Sequence, residues 1–223
     1  MGSPGQNSPL GKPPVSTVIE QDADEAGLAQ AAVTLPPDLG VDLAQLNEIC
    51  PLGAFPAGAC PPSTVVGSAN ATSPLLTQRL AGPVVLVQGA VLPDIGLNLR
   101  GPLSLNLRGT LGFEGSVTFS GLPDIPISHF ELSFIGGPEG LNVANRNLCL
   151  PPAPLFHENF TGHNGATTSL DTPATVEGGC GPALKKCKVK GKKKKGKKSE
   201  ASAAKKKHKK KACKKKRKKR KKR

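Results

Sequence analysis

The last 39 residues, Lys185 to Arg223, hold 26 Lys or Arg against a single acid, Glu200. They read KKCKVKGKKKKGKKSEASAAKKKHKKKACKKKRKKRKKR, a formal charge of +25. The other 184 residues hold five basic and 15 acidic side chains, or −10, which leaves the chain at +15. Like charges at this density repel and bury nothing, so this stretch cannot join a packed core. Any fold must be built upstream of it. The expected organisation is a mildly acidic body followed by a disordered polycationic tail.

Without the tail and a Pro/Gly/Ser-rich start, about 150 residues remain, enough for one or two small cores. All seven Phe lie there, and Trp and Tyr are absent. The 22 Pro and 26 Gly oppose long helices and suit short strands joined by turns. No run approaches the roughly 18 to 20 apolar residues of a membrane-spanning helix. The longest, Pro83 to Leu92, is broken by Gln88 and Gly89. The first residues, MGSPGQNSP, are polar and lack the apolar centre of a signal peptide. Other features look extracellular, so Met1 is expected to be an internal or misassigned start within a longer, exported chain.

Residues 1–18 read as a flexible linker, with Pro4, Pro9, Pro13 and Pro14 among Gly and Ser. Residues 19–62 read as a strand (Leu28 to Leu35), a short helix and a Cys loop packing on the main body. The helix is expected over Val41 to Ile49, capped by Asp42, with Leu43, Leu46 and Ile49 on one face. Residues 63–180 read as β throughout. Strands are expected near 63–73, 81–88, 95–100, 103–111, 115–120, 128–135, 141–148, 155–161, 166–171 and 173–177. LNLRG occurs at 97–101 and again at 105–109, which suggests two adjacent strands with matching faces. Strands at this spacing predict an all-β fold, an antiparallel β-sandwich of immunoglobulin-like architecture. Residues 181–223 are the Lys-rich tail.

Six Cys occur, at 50, 60, 149, 180, 187 and 213. No C-x₂-C spacing is present, which argues against structural zinc. Cys50 and Cys60 bracket a Gly/Pro loop, and Cys149 and Cys180 each end a strand. Disulfides Cys50–Cys60 and Cys149–Cys180 are expected, among 15 pairings open to six Cys. Reduced, buried Cys in a cytosolic protein is the alternative. Cys187 and Cys213 sit among Lys, which lowers a thiol pKa and raises its reactivity.

Several stretches occur in a familiar order: LPPDLGVDLAQLNEIC (35–50), CPPSTVVGSANATSPLL (60–76), LAGPVVLVQG (80–89) and LRGPLSLNLRGTLGF (99–113). They continue as VTFSGLPDIPISHFELSFIGGPEGLNVANRNLC (117–149) and FTGHNGATTSLDTP (160–173). Residues 29–178 resemble a repeat unit of large secreted, uncharacterised β-rich proteins of Gram-positive, actinobacterial-type soil bacteria. Two departures stand out. Val85 replaces the aromatic of that family's VYL motif, and the usual upstream tandem unit is missing. The resemblance implies export and a β architecture, and no enzymatic activity. It gives Gly67, Gly82, Pro123, Pro126, Gly136 and Gly137 to turns, and Cys60 and Cys149 to bridges.

The residues offer little chemistry. No G-x-S-x-G occurs, and His129, His157 and His163 coexist with Asp171 and several Ser only as in any chain of this length. No catalytic residue is expected. Asp22 to Gly27 starts like a calcium loop but places Ala26 and Val33 where ligands are needed, so no metal site is expected. The Gly clusters at 136–137 and 178–179 lack phosphate-loop spacing, and no cofactor is expected.

The tail is the functional signal. The residues expected to contact polyanions are Lys185, Lys186, Lys192, Lys193, Lys194, Lys195, Lys205, Lys206, Lys207, Lys209, Lys210, Lys211, Lys214, Lys215, Lys216, Arg217, Arg220 and Arg223. Without aromatics the tail cannot stack bases, so its binding is electrostatic and unspecific. One reading is a non-enzymatic secreted or cell-surface protein of structural or adhesion type. Its partners would be wall polymers, acidic polysaccharide or lipid head groups. The alternative is an intracellular nucleic-acid-binding protein, in the nucleoid or cytoplasm. A purely solubilising tail is the bland reading.

Overall fold

A computed structural model describes residues 5–178 and 180, apart from Ala23. The tail, with Cys187 and Cys213, lies outside the described residues, as does its expected disorder. Twelve strands carry the fold: β1 (Val15–Glu20), β2 (Leu28–Thr34), β3 (Leu39–Val41), β4 (Val65–Thr72), β5 (Leu80–Val87) and β6 (Asp94–Arg100), then β7 (Ser104–Leu111), β8 (Ser116–Ser120), β9 (His129–Phe134), β10 (Asn142–Ala144), β11 (Leu155–Gly162) and β12 (Thr167–Pro173). Ten form one antiparallel sheet in the order β1-β9-β4-β5-β6-β7-β8-β2-β11-β12, and β10 pairs with β3.

The all-β, antiparallel expectation holds. The immunoglobulin-like sandwich is not confirmed, because the hydrogen-bonded ladder never breaks into two sheets. β2 is the reason. Residues 19–62 do not simply pack on the body: β2 enters the sheet between β8 and β11 and joins the run from β1 to β8 to the β11–β12 hairpin.

Directly opposed residues of an antiparallel pair share a face. The register therefore traces one inner face through the whole sheet. Val15, Thr17 and Ile19 oppose Phe134, Leu132 and Phe130. Those three oppose Gly67, Ala69 and Ala71 on β4. On the far side Gly109 opposes Phe119, Phe119 opposes Ala31, Ala31 opposes Phe160, and Phe160 opposes Thr168. The two end strands, β1 and β12, are unpaired with each other yet line one cavity. The sheet thus curls round its inner face without closing.

The core fills the inner side of β4 to β6. Val84, Leu86, Ile95, Leu97 and Leu99 are all essentially inaccessible. The LNLRG repeats lie side by side as expected, with Leu97 opposite Leu107, Asn98 opposite Asn106 and Leu99 opposite Leu105. β6 is covered on both faces. Its outer face carries the loop of residues 50–60, whose Phe55 is 2% exposed and packs with Val85 and Val87. Asn98 Nδ2 donates to the Phe55 carbonyl at 2.9 Å and to Asn106 Oδ1 at 2.9 Å, which ties the loop to the sheet.

Gly96 leaves the space that Phe55 occupies. A Cβ there would sit 2.5 Å from both the Phe55 ring and a Val87 methyl. Gly96→Ala is therefore expected to destabilise the body by about 1–3 kcal/mol through overpacking. Urea unfolding checks this, and an unchanged midpoint would contradict the seating of the loop on β6.

Three local expectations change. Residues 15–18, read as linker, belong to β1; the four Pro upstream masked the alternation of Val15, Thr17 and Ile19. The helix over Val41 to Ile49 is only a 3₁₀ turn, Leu43–Asn47. Asp42 does cap it, accepting from the Ala44 N–H at 3.0 Å. β3 claims Leu39–Val41, and Cys50 is held in a parallel bridge to Val87, so too few residues remain for an α-helix. Leu43 and Ile49 stay exposed while Leu46 packs on the core. Residues 173–177 add no further strand, since β12 ends at Pro173.

Candidate functional site

The curl leaves a cavity of about 1120 Å³ between the β1–β9 wall and the β8–β2–β11–β12 wall. Small-molecule sites span about 300–1,000 Å³, so this space is large enough for a sizeable ligand. Period-two alternation builds the lining. Phe130, Leu132 and Phe134 enter from β9, Phe156 and Phe160 from β11, and Leu170 from β12. An apolar void of about 80 Å³ adjoins it and shares Ile19, Leu28, Ala31, Phe119 and Phe130.

Polar and charged side chains interrupt this apolar lining. Glu158 lies between Phe156 and Phe160 on β11, opposite Leu170 on one side and Val33 on the other. It accepts from Thr172 Oγ1 at 3.0 Å. Asn142, on β10 opposite Val41 of β3, is 4% exposed, and its Nδ2 has no hydrogen-bond partner. Just past the end of β1, Gln21 Nε2 donates to the Ala26 carbonyl at 2.5 Å while its buried Oε1 has no partner. Such groups are costly when left unpaired and call for a partner.

Both expected disulfides form, Cys50–Cys60 and Cys149–Cys180. The eighteen tail residues expected to bind polyanions, Lys185 to Arg223, lie outside the described residues. Within the body no basic patch offsets the acidic balance, because its cations are engaged. Lys12 pairs with Asp42, Arg108 with Asp94 and Arg146 with Asp38. Arg100 donates to the Leu99 and Leu105 carbonyls and to Asn106 Oδ1. Arg79 lies near enough to Glu131 to help lower its pKa.

The histidines do not converge. His157 Nδ1 lies 2.7 Å from Asp171 Oδ1, a cross-strand pair on the outer face of β11 and β12. His129 faces Glu20 at 3.7 Å, and His163 Nε2 lies 3.0 Å from the Leu122 carbonyl. The Asp22 stretch forms a turn in which Glu25 Oε2 accepts from the Asp22 N–H at 3.1 Å. Among the described residues no three His, Cys, Asp or Glu are grouped to hold a metal ion, and no helix is long and apolar enough to cross a membrane.

Three carboxylates are held below their ordinary pKa. Asp38 is lowered chiefly by its hydrogen bond from Arg146, Asp42 by that from Lys12, and Glu131 by that from Asn70. A depressed folded-state value stabilises the fold above the unfolded carboxylate range, about pH 4. That contribution is lost as pH falls through the lower folded-state values. Asp38→Asn is expected to flatten the acid-side loss of thermal stability between about pH 5 and pH 2. The change is modest, because the pair is partly solvated. Melting curves across that range check it, and a slope equal to the parent's would contradict it.

No family model, curated protein or solved structure matches this chain. The cavity residues Glu158, Gln21 and Asn142 were not singled out in the sequence. One signal was available: LFHENF places a lone carboxylate at 158 in the same alternate positions as Phe156 and Phe160.

Proposed function

We propose that this chain is a non-enzymatic secreted or cell-surface protein of structural or adhesion type. Its tail binds anionic polymers such as wall polymer, acidic polysaccharide or lipid head groups. The observation that carries this reading is the segregation of charge. Four of the body's five basic side chains are held by its own carboxylates and carbonyls, so binding to a polyanion falls chiefly to the 26 Lys and Arg of residues 185–223.

Two disulfides in the body support an oxidising compartment. The likeness of residues 29–178 to repeat units of exported β-rich proteins points the same way. The nucleic-acid reading draws on the tail alone, and the disulfides count against it. The deciding experiment compares full-length and tail-deleted protein on wall polymer and on duplex DNA across a salt series.

A further inference from the structure

The cavity inside the curled sheet has a one-sided charge. Carboxylates line it or its rim at Glu20, Asp24, Glu25, Glu158 and Glu177. Among the described residues no Lys, Arg or His lines it. Glu158 is the informative one. It stands in the middle of an apolar wall, flanked along β11 by Phe156 and Phe160, with a single hydroxyl donor, Thr172. A carboxylate accepts several hydrogen bonds, so one donor leaves most of its capacity open. A strand selected only for packing would carry an apolar residue at this position.

A second observation is independent of the charge. Asn142 is 4% exposed, lines the same cavity, and leaves its Nδ2 without an acceptor. Gln21 adds a buried acceptor, Oε1, without a donor, just past the end of β1. The cavity is lined along all six residues of β1, which at about 3.3 Å each make it roughly 20 Å long. The cavity is therefore long, with aromatic and aliphatic side chains along its walls and two buried polar atoms left without a partner.

We infer that this cavity binds an elongated apolar cation, a long-chain amine whose ammonium group pairs with Glu158. The aliphatic chain lies against Phe130, Leu132, Phe134 and Phe160. An oxygen acceptor on the ligand would satisfy Asn142 Nδ2, and an N–H or O–H donor would satisfy Gln21 Oε1. A fatty acid of the same length is disfavoured, since its carboxylate would enter a cavity lined by like charges. The site is separate from the tail, whose partners are anionic, so either assignment can fail without the other.

The experiment is calorimetric titration of the full chain with dodecylammonium, dodecanol and dodecanoate, each below its micelle concentration. Dodecylammonium is expected to bind saturably at one per chain and at least about tenfold more tightly than dodecanol, the margin of a charge-assisted hydrogen bond. Dodecanoate will meet the polycationic tail, so its heat counts only where dodecanol competes it away. Glu158→Gln is expected to lower amine affinity at least about tenfold and to leave dodecanol within about twofold. Dodecanol binding also reports that the variant is folded. Glu114→Gln, in the β7–β8 turn, removes the same charge away from the cavity and is expected to change neither affinity. Equal losses in both variants would reduce the effect to net charge and overturn the site. Equal affinity of the parent for amine and alcohol, or dodecanoate held in competition with dodecanol, would overturn it without any variant.

Discussion

A chain ending at Leu184 is expected to lose binding to wall polymer and duplex DNA by at least about a thousandfold at low salt, with its body still folded. Each phosphate neutralised by Lys or Arg releases condensed counterions. The logarithm of affinity therefore falls with that of salt at about −0.9 per contact on duplex DNA. Six to ten contacts, a fraction of the 26 available, imply a loss of about 10³ to 10⁵ between roughly 50 and 200 mM salt. The body left behind carries −10, with three of its five cations in ion pairs. It repels the same polymers. Its urea midpoint is expected to match the parent's, since the register and the core are complete before Lys185. Polymer binding that survives truncation and resists salt would move the site into the body. A lost unfolding transition would show that the tail supports the fold. A polycation binds DNA in any lysate, so the informative comparison is between polymers at matched salt, with polymer preference separating surface from intracellular roles.

The strands were legible because alternation is a local property. Ile95, Leu97 and Leu99 against Asn98 set the period of β6 in the sequence, and Leu105 and Leu107 repeat it in β7. The short strand β3 has too few residues to show a period, and β1 was hidden by the prolines before it. The sheet order was not legible, because it depends on long-range pairing. Nothing near Leu28 to Thr34 states that β2 inserts between β8 and β11, yet that insertion makes one sheet of two expected layers. Cys50–Cys60 followed from the short loop that the two residues bracket. The cavity escaped notice because its lining comes from β1, β2, β8, β9, β11 and β12, each contributing ordinary-looking alternate residues. Only Glu158 broke the pattern, and a single carboxylate in a strand reads as solvent-facing until the register is known.

Reduction of both disulfides is expected to lower the stability of the body by about 6 kcal/mol. The bridges close loops of sequence separation 10 and 31. The chain-entropy relation gives about 2.7 kcal/mol for the first and about 3.7 kcal/mol for the second at 25 °C. Domains of this size hold about 5–15 kcal/mol in all, so the loss takes a large share of the body's stability and, at the low end of that range, all of it. The two bridges differ in what they protect. Cys50 is fully buried, its N–H donates to the Leu86 carbonyl at 2.8 Å, and its carbonyl accepts from the Gln88 N–H at 3.0 Å. Those bonds pin one end of the loop to β5, and the bridge pins the other end, keeping Phe55 over Gly96. Cys50→Ser with Cys60→Ser should therefore uncover the outer face of β5 and β6, seen as increased exchange of the backbone amides of residue 50 and Gln88. Cys149→Ser with Cys180→Ser should lower the midpoint further while leaving those amides protected, because that bridge ties the segment after β12 to the region of Leu148 and Asn7. Two disulfides in the body are consistent with an oxidising compartment. A reduced and alkylated chain that unfolds within about 1 kcal/mol of the oxidised one would remove the physical basis for placing it outside the cell.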